Sequence, residues 1–262
     1  MPGLTRRALT RHLLALGLVL CTSALPAQAP LTVAAASDLE FALEEVAARF
    51  EEDTGYPIRL VFGSSGTFYS QILQGAPFDL FLSADEAFVF RLAAAGRTVD
   101  EGRLYAYGRI GLFVPNGAPL VADGELADLG AALADGRLRK FAIANPEHAP
   151  YGMRAKEALQ HAGLWDRIES HLVLGENIAQ AAQFAASGST QGGIVALSLA
   201  LSPALSDRGA FALIPERWHQ RMAQRMVVLD GAHGDARRFY DYIASDAARS
   251  ILRRYGFILP HE

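Results

Sequence analysis

Cysteine is almost missing from this chain, with one, Cys21, in 262 residues. A single thiol forms no internal disulfide, and no Cys/His cluster at metal-ligand spacing accompanies it, so disulfide scaffolds and structural zinc are excluded. Blocks of like charge are missing too. The 24 basic and 28 acidic residues are interspersed and leave a formal charge of -4, which gives no electrostatic footprint for nucleic acid or an anionic membrane surface. No internal repeat, low-complexity tract or long structureless linker breaks the sequence. What is present is core material. With 51% hydrophobic and 20% charged residues the composition lies far from that of disordered chains. The length suits one large domain or two lobes of about 100 to 150 residues each.

Residues 1–29 read as an export signal. Arg6, Arg7 and Arg11 form a basic start, residues 13–21 are apolar, and Ala27-Gln28-Ala29 has the small-x-small pattern of a cleavage site. The apolar stretch falls short of the ~20 residues of a spanning helix. Pro30 makes cleavage after Ala24 the alternative to cleavage after Ala29. The Arg6-Arg7 pair admits a twin-arginine route, and Cys21 a lipoprotein reading. The expectation is a periplasmic protein, its leader removed, with no cysteine left to oxidise.

The remaining chain alternates strand and helix. Residues 31–35, 58–62 and 80–82 read as short buried strands. Leu39, Leu43, Val46 and Phe50 recur at helical spacing up to Gly55-Tyr56-Pro57, and further helices are expected around residues 68–73 and 86–95. Beyond Gly108, strands are expected at 110–114, 141–144, 171–174, 193–196 and 226–229. Helices are expected at 125–133, 151–162 and 177–186, and one from 234 to 255. Two such α/β blocks without a linker fit two lobes, 30–108 with a C-terminal return of 223–262, and 109–222, with a ligand cleft between them.

Four positions stand where a strand or loop gives way to a helix: Ser37, Ser65 beside Gly63 and Gly66, Tyr151 after Pro150, and Ile178 after Asn177. Helix N-termini carry unpaired backbone N–H groups and a partial positive charge. Four of them facing one cleft form a site for a small anion without lysine or arginine; taken singly, each is a plain N-cap. The run Gly63-Ser64-Ser65-Gly66-Thr67 misses both the nucleophile elbow and the P-loop.

Several segments go further. Val33-Ala34-Ala35-Ala36-Ser37, Phe62-Gly63-Ser64-Ser65-Gly66-Thr67, the run 75–85, Asn145-Pro146-Glu147-His148-Ala149-Pro150-Tyr151-Gly152, Ala155-Lys156-Glu157-Ala158-Leu159 and the end from Phe239 to Phe257 closely resemble the periplasmic molybdate-binding proteins of molybdate ABC importers. The resemblance implies an α/β, two-lobed periplasmic-binding-protein-like fold, with two mostly parallel sheets flanked by helices and joined by two crossover strands. It implies a receptor rather than an enzyme, with molybdate or tungstate as ligand, no cofactor, molybdenum held only as the oxyanion, and the membrane permease of an ABC importer as partner. A monomer is the expectation. In that family serine hydroxyls and backbone N–H groups hold the oxyanion, and carried over these are Ser37, Ser65, Tyr151 and Ile178.

One departure stands out: Ala196 occupies a position where part of the family has a tyrosine donor, which puts the Tyr151 hydroxyl forward as a substitute. Asp38 reads as a charge complementing the helix start, and His148 as a residue orienting its loop. A set of neutral donors implies affinity that hardly changes between pH 6 and 8. The alternatives are a receptor for another oxyanion or small organic anion on the same fold and, more remotely, a periplasmic serine hydrolase using Ser64 or Ser65.

Overall fold

The computed structural model describes residues 30–260, so the expected leader, including Arg6, Arg7, Arg11 and Cys21, lies outside the described residues. The chain enters through β1 (Leu31–Ala36), turns through a 3₁₀ segment (Ser37–Leu39) and continues as α1 (Glu40–Thr54). The helical spacing buries Leu43, Val46 and Phe50 and leaves Glu44 and Glu45 exposed. Gly55 then stops the helix at φ 71°, its N–H bonded to the Glu51 carbonyl at 2.7 Å, a left-handed cap that glycine adopts without a Cβ penalty. There follow β2 (Ile58–Gly63), α2 (Ser65–Leu73), β3 (Leu80–Ser83), α3 (Glu86–Ala94) and β4 (Arg103–Gly108).

After a single residue, Arg109, the chain crosses into β5 (Ile110–Pro115), α4 (Ala127–Asp135), β6 (Phe141–Ala144), α5 (Pro150–His161) and α6 (Trp165–Ile168). This second block continues as β7 (Leu172–Gly175), α7 (Ile178–Ala186), β8 (Gly193–Ala196), α8 (Leu197–Ala200) and β9 (Gly209–Leu213). It then returns through β10 (Met222–Val228) to α9 (Ala236–Ile243) and α10 (Asp246–Arg254).

Two five-stranded sheets result, ordered β2-β1-β3-β10-β4 and β7-β6-β8-β5-β9. Each is mixed in the same way. In the first, β1, β2 and β3 are parallel, and β10 runs against both of its neighbours, so four strands share one direction. In the second, β5 is the reversed strand. The reversed strand of each sheet lies at a crossing of the chain between lobes, which is why an otherwise parallel βαβ arrangement contains one antiparallel member.

The first sheet is covered on both faces, as its near-continuous apolar strands require. Val33, Ala35, Leu80, Leu82 and Met226 pack on one side with Leu43 and Phe239, whereas Ala34, Phe81 and Val227 pack on the other with Phe68 and Val89. The second sheet has its own core around Leu112, Phe113, Phe141, Ile143 and Ile194.

Three features differ from the sequence reading. β4 and β9 are additional strands, both at sheet edges and partly exposed. β10 begins at Met222, because Met222, Gln224 and Met226 alternate onto a buried face and the polar Gln224 hides that pattern. The single helix expected from 234 to 255 is two, since Ser245 leaves the helix and caps α10 by accepting from the Ala248 N–H at 3.3 Å.

Candidate functional site

Because most strands of each sheet share a direction, the loops that follow their carboxyl ends gather in one place, where open α/β sheets take ligands. The segments after β1, β2, β3, β6 and β7 close around a small cavity, and Ser37, Ser65, Tyr151 and Ile178 all line it. No lysine, arginine or histidine does.

Local sequence decides what each segment presents. Ser64 is the N-cap of α2, its hydroxyl accepting from the Thr67 N–H at 3.2 Å, so Ser65 begins the helix. Asn177 caps α7 through the Gln180 N–H at 3.0 Å and leaves Ile178 at the first helical position. Pro150 occupies the first turn of α5, where its missing N–H costs nothing, and no side chain caps that helix. Ser37 opens the 3₁₀ turn rather than an α-helix. Among the described residues, none of the backbone N–H groups of Ser37, Ser65, Tyr151 and Ile178 donates to a protein acceptor.

The two serine hydroxyls are oriented by bonds they accept. Ser65 Oγ, fully buried, accepts from the Ala84 N–H at 3.0 Å, and Ser37 Oγ accepts from the Ala179 N–H at 3.3 Å. Each oxygen is thereby held as acceptor, leaving its own proton without an acceptor among the described residues. Donors predominate here, and the one carboxyl in the lining is that of Asp38.

Tyr151 is placed differently from the expectation that its hydroxyl substitutes for a missing donor. Its ring is buried and its hydroxyl donates to Asp38 Oδ2 at 2.9 Å. Gln224 Nε2 donates to the same oxygen at 2.7 Å and lies 3.1 Å from the Tyr151 hydroxyl, while Tyr105 donates to Gln224 Oε1 at 2.7 Å. Burial pushes the Asp38 carboxyl up to about 6, partly offset by the bonds from Gln224 and Tyr151. Burial also pushes the Tyr105 and Tyr151 hydroxyls well above their ordinary value, with the nearby Asp38 charge adding to it. Asp38 thus belongs to a buried network, a fuller role than complementing a helix start. Ala196, fully buried, ends β8, and Ser198 two residues on donates to the Asp38 carbonyl at 2.7 Å.

Further bonds join the two lobes around the cavity. Ser64 Oγ lies 2.9 Å from His148 Nδ1, whose Nε2 is 3.6 Å from Glu176, and the Gly66 N–H donates to the His148 carbonyl at 3.0 Å. Arg154 on α5, almost wholly buried, pairs with Asp85 at 2.6 Å and with Glu157 at 2.7 Å. Asp85 also caps α3 through the Ala87 N–H. Of the two serines of the hydrolase reading, Ser64 meets the Thr67 N–H, the Thr67 hydroxyl and His148 Nδ1, and Ser65 accepts from the Ala84 N–H. Among the described residues no group of acidic, histidine or cysteine side chains could hold a metal ion. No helix among them is long and apolar enough to cross a membrane.

The matches to known proteins agree with this arrangement. Residues 31–258 match the family model of the bacterial extracellular solute-binding proteins. A molybdate-binding protein ModA of Azotobacter vinelandii is 35% identical over 253 residues, 95% of this chain and 98% of the relative. The chain belongs to the extracellular solute-binding family, among its ModA-type members. The ModA of Rhodobacter capsulatus is 34% identical, with 98% of each chain covered. The solved periplasmic molybdate-binding protein of Azotobacter vinelandii superposes with a TM-score of 0.80 at 30% identity, covering 88% of this chain and all of that one. This ModA-type chain is a solute-binding protein and not an enzyme, which removes the hydrolase alternative.

Sequence reasoning missed Gln224, Tyr105, Arg154 and Ala84. Only Gln224 leaves a trace in the sequence, as the polar member of the buried alternation Met222, Gln224, Met226. Tyr105 and Ala84 act through distant partners, and Arg154 reaches Asp85, 69 residues away, besides its neighbour Glu157.

Proposed function

We propose that this protein captures molybdate, and tungstate with it, between its lobes and delivers it to the membrane permease of an ABC importer. Exported to the periplasm and freed of residues 1–29, it acts as a monomer without a cofactor. Residues 30–108 with 223–262, and residues 109–222, move as the two bodies that close on the ion. Ser37 and Ser65 bind through hydroxyl and backbone N–H, Tyr151 and Ile178 through backbone N–H.

One observation supports the reading: among the described residues, the cavity is lined by N–H and O–H groups that find no acceptor and by no cationic side chain. Its complement is an ion that offers only acceptors. A fully deprotonated tetrahedral dianion does so, and each bond to a charged partner contributes about 1.5 to 3 kcal/mol. Fixed backbone dipoles also set the cavity's size, so a smaller dianion such as sulfate reaches fewer donors. The test is calorimetric titration with molybdate, tungstate, sulfate and phosphate. Tight one-to-one binding of the first two and weak binding of the others is expected; preference for sulfate or phosphate would overturn the assignment.

A further inference from the structure

The cavity wall contains one group that does not fit a set of neutral donors. Asp38 lines it, is 1% exposed, and places both of its side-chain hydrogen bonds on a single oxygen, Oδ2. Its other oxygen, Oδ1, is buried with no partner among the described residues. An ionised carboxylate in this position leaves half of its charge unsatisfied and faces a second negative charge when an oxyanion enters. A neutral carboxylic acid removes the charge: Oδ2 is the carbonyl accepting from Tyr151 and Gln224, and Oδ1 carries a proton that awaits an incoming acceptor.

We infer that Asp38 takes part in capture as a neutral acid, its Oδ1 hydroxyl donating to the bound oxyanion, so that each dianion brings one proton from solvent into the site. The inference rests on the oxyanion reading above and names a donor beyond the serines and helix starts. It supplies from the first lobe what Ala196 cannot supply from the second. It also sharpens selectivity, because with Asp38 protonated no carboxylate remains to accept the proton that phosphate carries.

The surroundings support a proton on Asp38. Tyr151 on α5 and Tyr105 on β4 are held in the neutral form, Gln224 on β10 is uncharged, and Ser198 on α8 bonds the Asp38 backbone. Arg154 on α5 is engaged by Asp85 and Glu157, and no cationic side chain lines the cavity beside Asp38 among the described residues. Burial already lifts the carboxyl to about 6 before any anion arrives, and a bound dianion lifts it further. A protonated carboxyl held by an apolar site as a donor at neutral pH has precedent in enzyme oxyanion holes.

The expectation of pH-insensitive affinity is therefore replaced by a definite slope. Molybdate itself stays fully deprotonated from pH 6.5 to 8.5, and over that range the dissociation constant should rise about tenfold per pH unit. Titrations of the intact protein at pH 8 in buffers of different ionisation enthalpy should report uptake of about one proton per molybdate. Asp38→Asn, whose amide offers a donor at every pH, should lose the slope. Tight binding with no proton uptake and no slope would overturn the inference while leaving the molybdate assignment standing. Phosphate binding that strengthens as pH rises would overturn it by showing Asp38 to be an acceptor. Failure to bind molybdate at any pH from 6 to 8.5 would overturn both. The proton count uses the unaltered protein, so the test does not depend on the variant folding.

Discussion

The Gly66 N–H of the first lobe donates to the His148 carbonyl of the second at 3.0 Å, and a Cβ on Gly66 would lie 2.4 Å from that same oxygen. Within α2 an alanine is otherwise the better helix former. Gly66→Ala should therefore leave the fold intact, as read by circular dichroism and thermal melting, while weakening molybdate binding at least tenfold, because the lobes can no longer meet at this point. Unchanged affinity would show that closure does not need this contact.

Ser37 and Ser65 each hold a hydroxyl proton that no group among the described residues accepts. Ser37→Ala and Ser65→Ala should each weaken molybdate binding by about 1.5 to 3 kcal/mol, roughly ten- to a hundredfold. Equilibrium titration of both variants checks this, and unchanged affinity in both would remove the serines from the site.

Tyr151→Phe separates two roles for one hydroxyl. If the hydroxyl met the ion, its loss would cost about 1 to 3 kcal/mol at every pH. Since it donates to Asp38, and a donor to the charged form holds a carboxyl's pKa down, its loss should raise the Asp38 pKa. The expected outcome is a shift of the pH profile of molybdate affinity to higher pH, with the affinity at pH 6 changed by less than about 0.5 kcal/mol, the remainder expected once no direct bond is lost.

Asp38 also sets a pH dependence of stability. Its carboxyl rises from 3.8 to about 6 on folding, so between those values the native state holds a proton that the unfolded chain releases. The neutral form is the favoured one in the native state, and stability falls as pH rises through that window and stays lower above it. At about 1.4 kcal/mol per pH unit the loss is roughly 3 kcal/mol. Asp38→Asn should escape it. Denaturant unfolding of the ligand-free protein should show the variant gaining on the unaltered chain between pH 4 and pH 7; a constant difference would refute the linkage.

Much of the fold was legible because it rests on local chemistry. Leu43, Val46 and Phe50 define one face of α1, Gly55 supplies its left-handed stop, and the apolar runs at 31–35, 80–82 and 141–144 are buried strands wherever they pair. The helix starts at Ser65 and Ile178 follow from the caps Ser64 and Asn177, and the start at Pro150-Tyr151 from a proline in the first turn, each acting within a few positions of itself. Edge strands β4 and β9 were not legible, since β4 opens on the charged Arg103 and β9 is built largely of glycine and alanine, which carry little strand preference. Nor was the network on Asp38. Tyr151 is 113 residues from it and Gln224 is 186, and no sequence period links such positions. The sequence by itself determined which groups stand at the helix starts. Only the tertiary structure decided that they enclose one cavity, and that a carboxyl beside it is buried with one oxygen satisfied and the other bare, because burial and hydrogen-bond partnership belong to the packed molecule and not to any single segment.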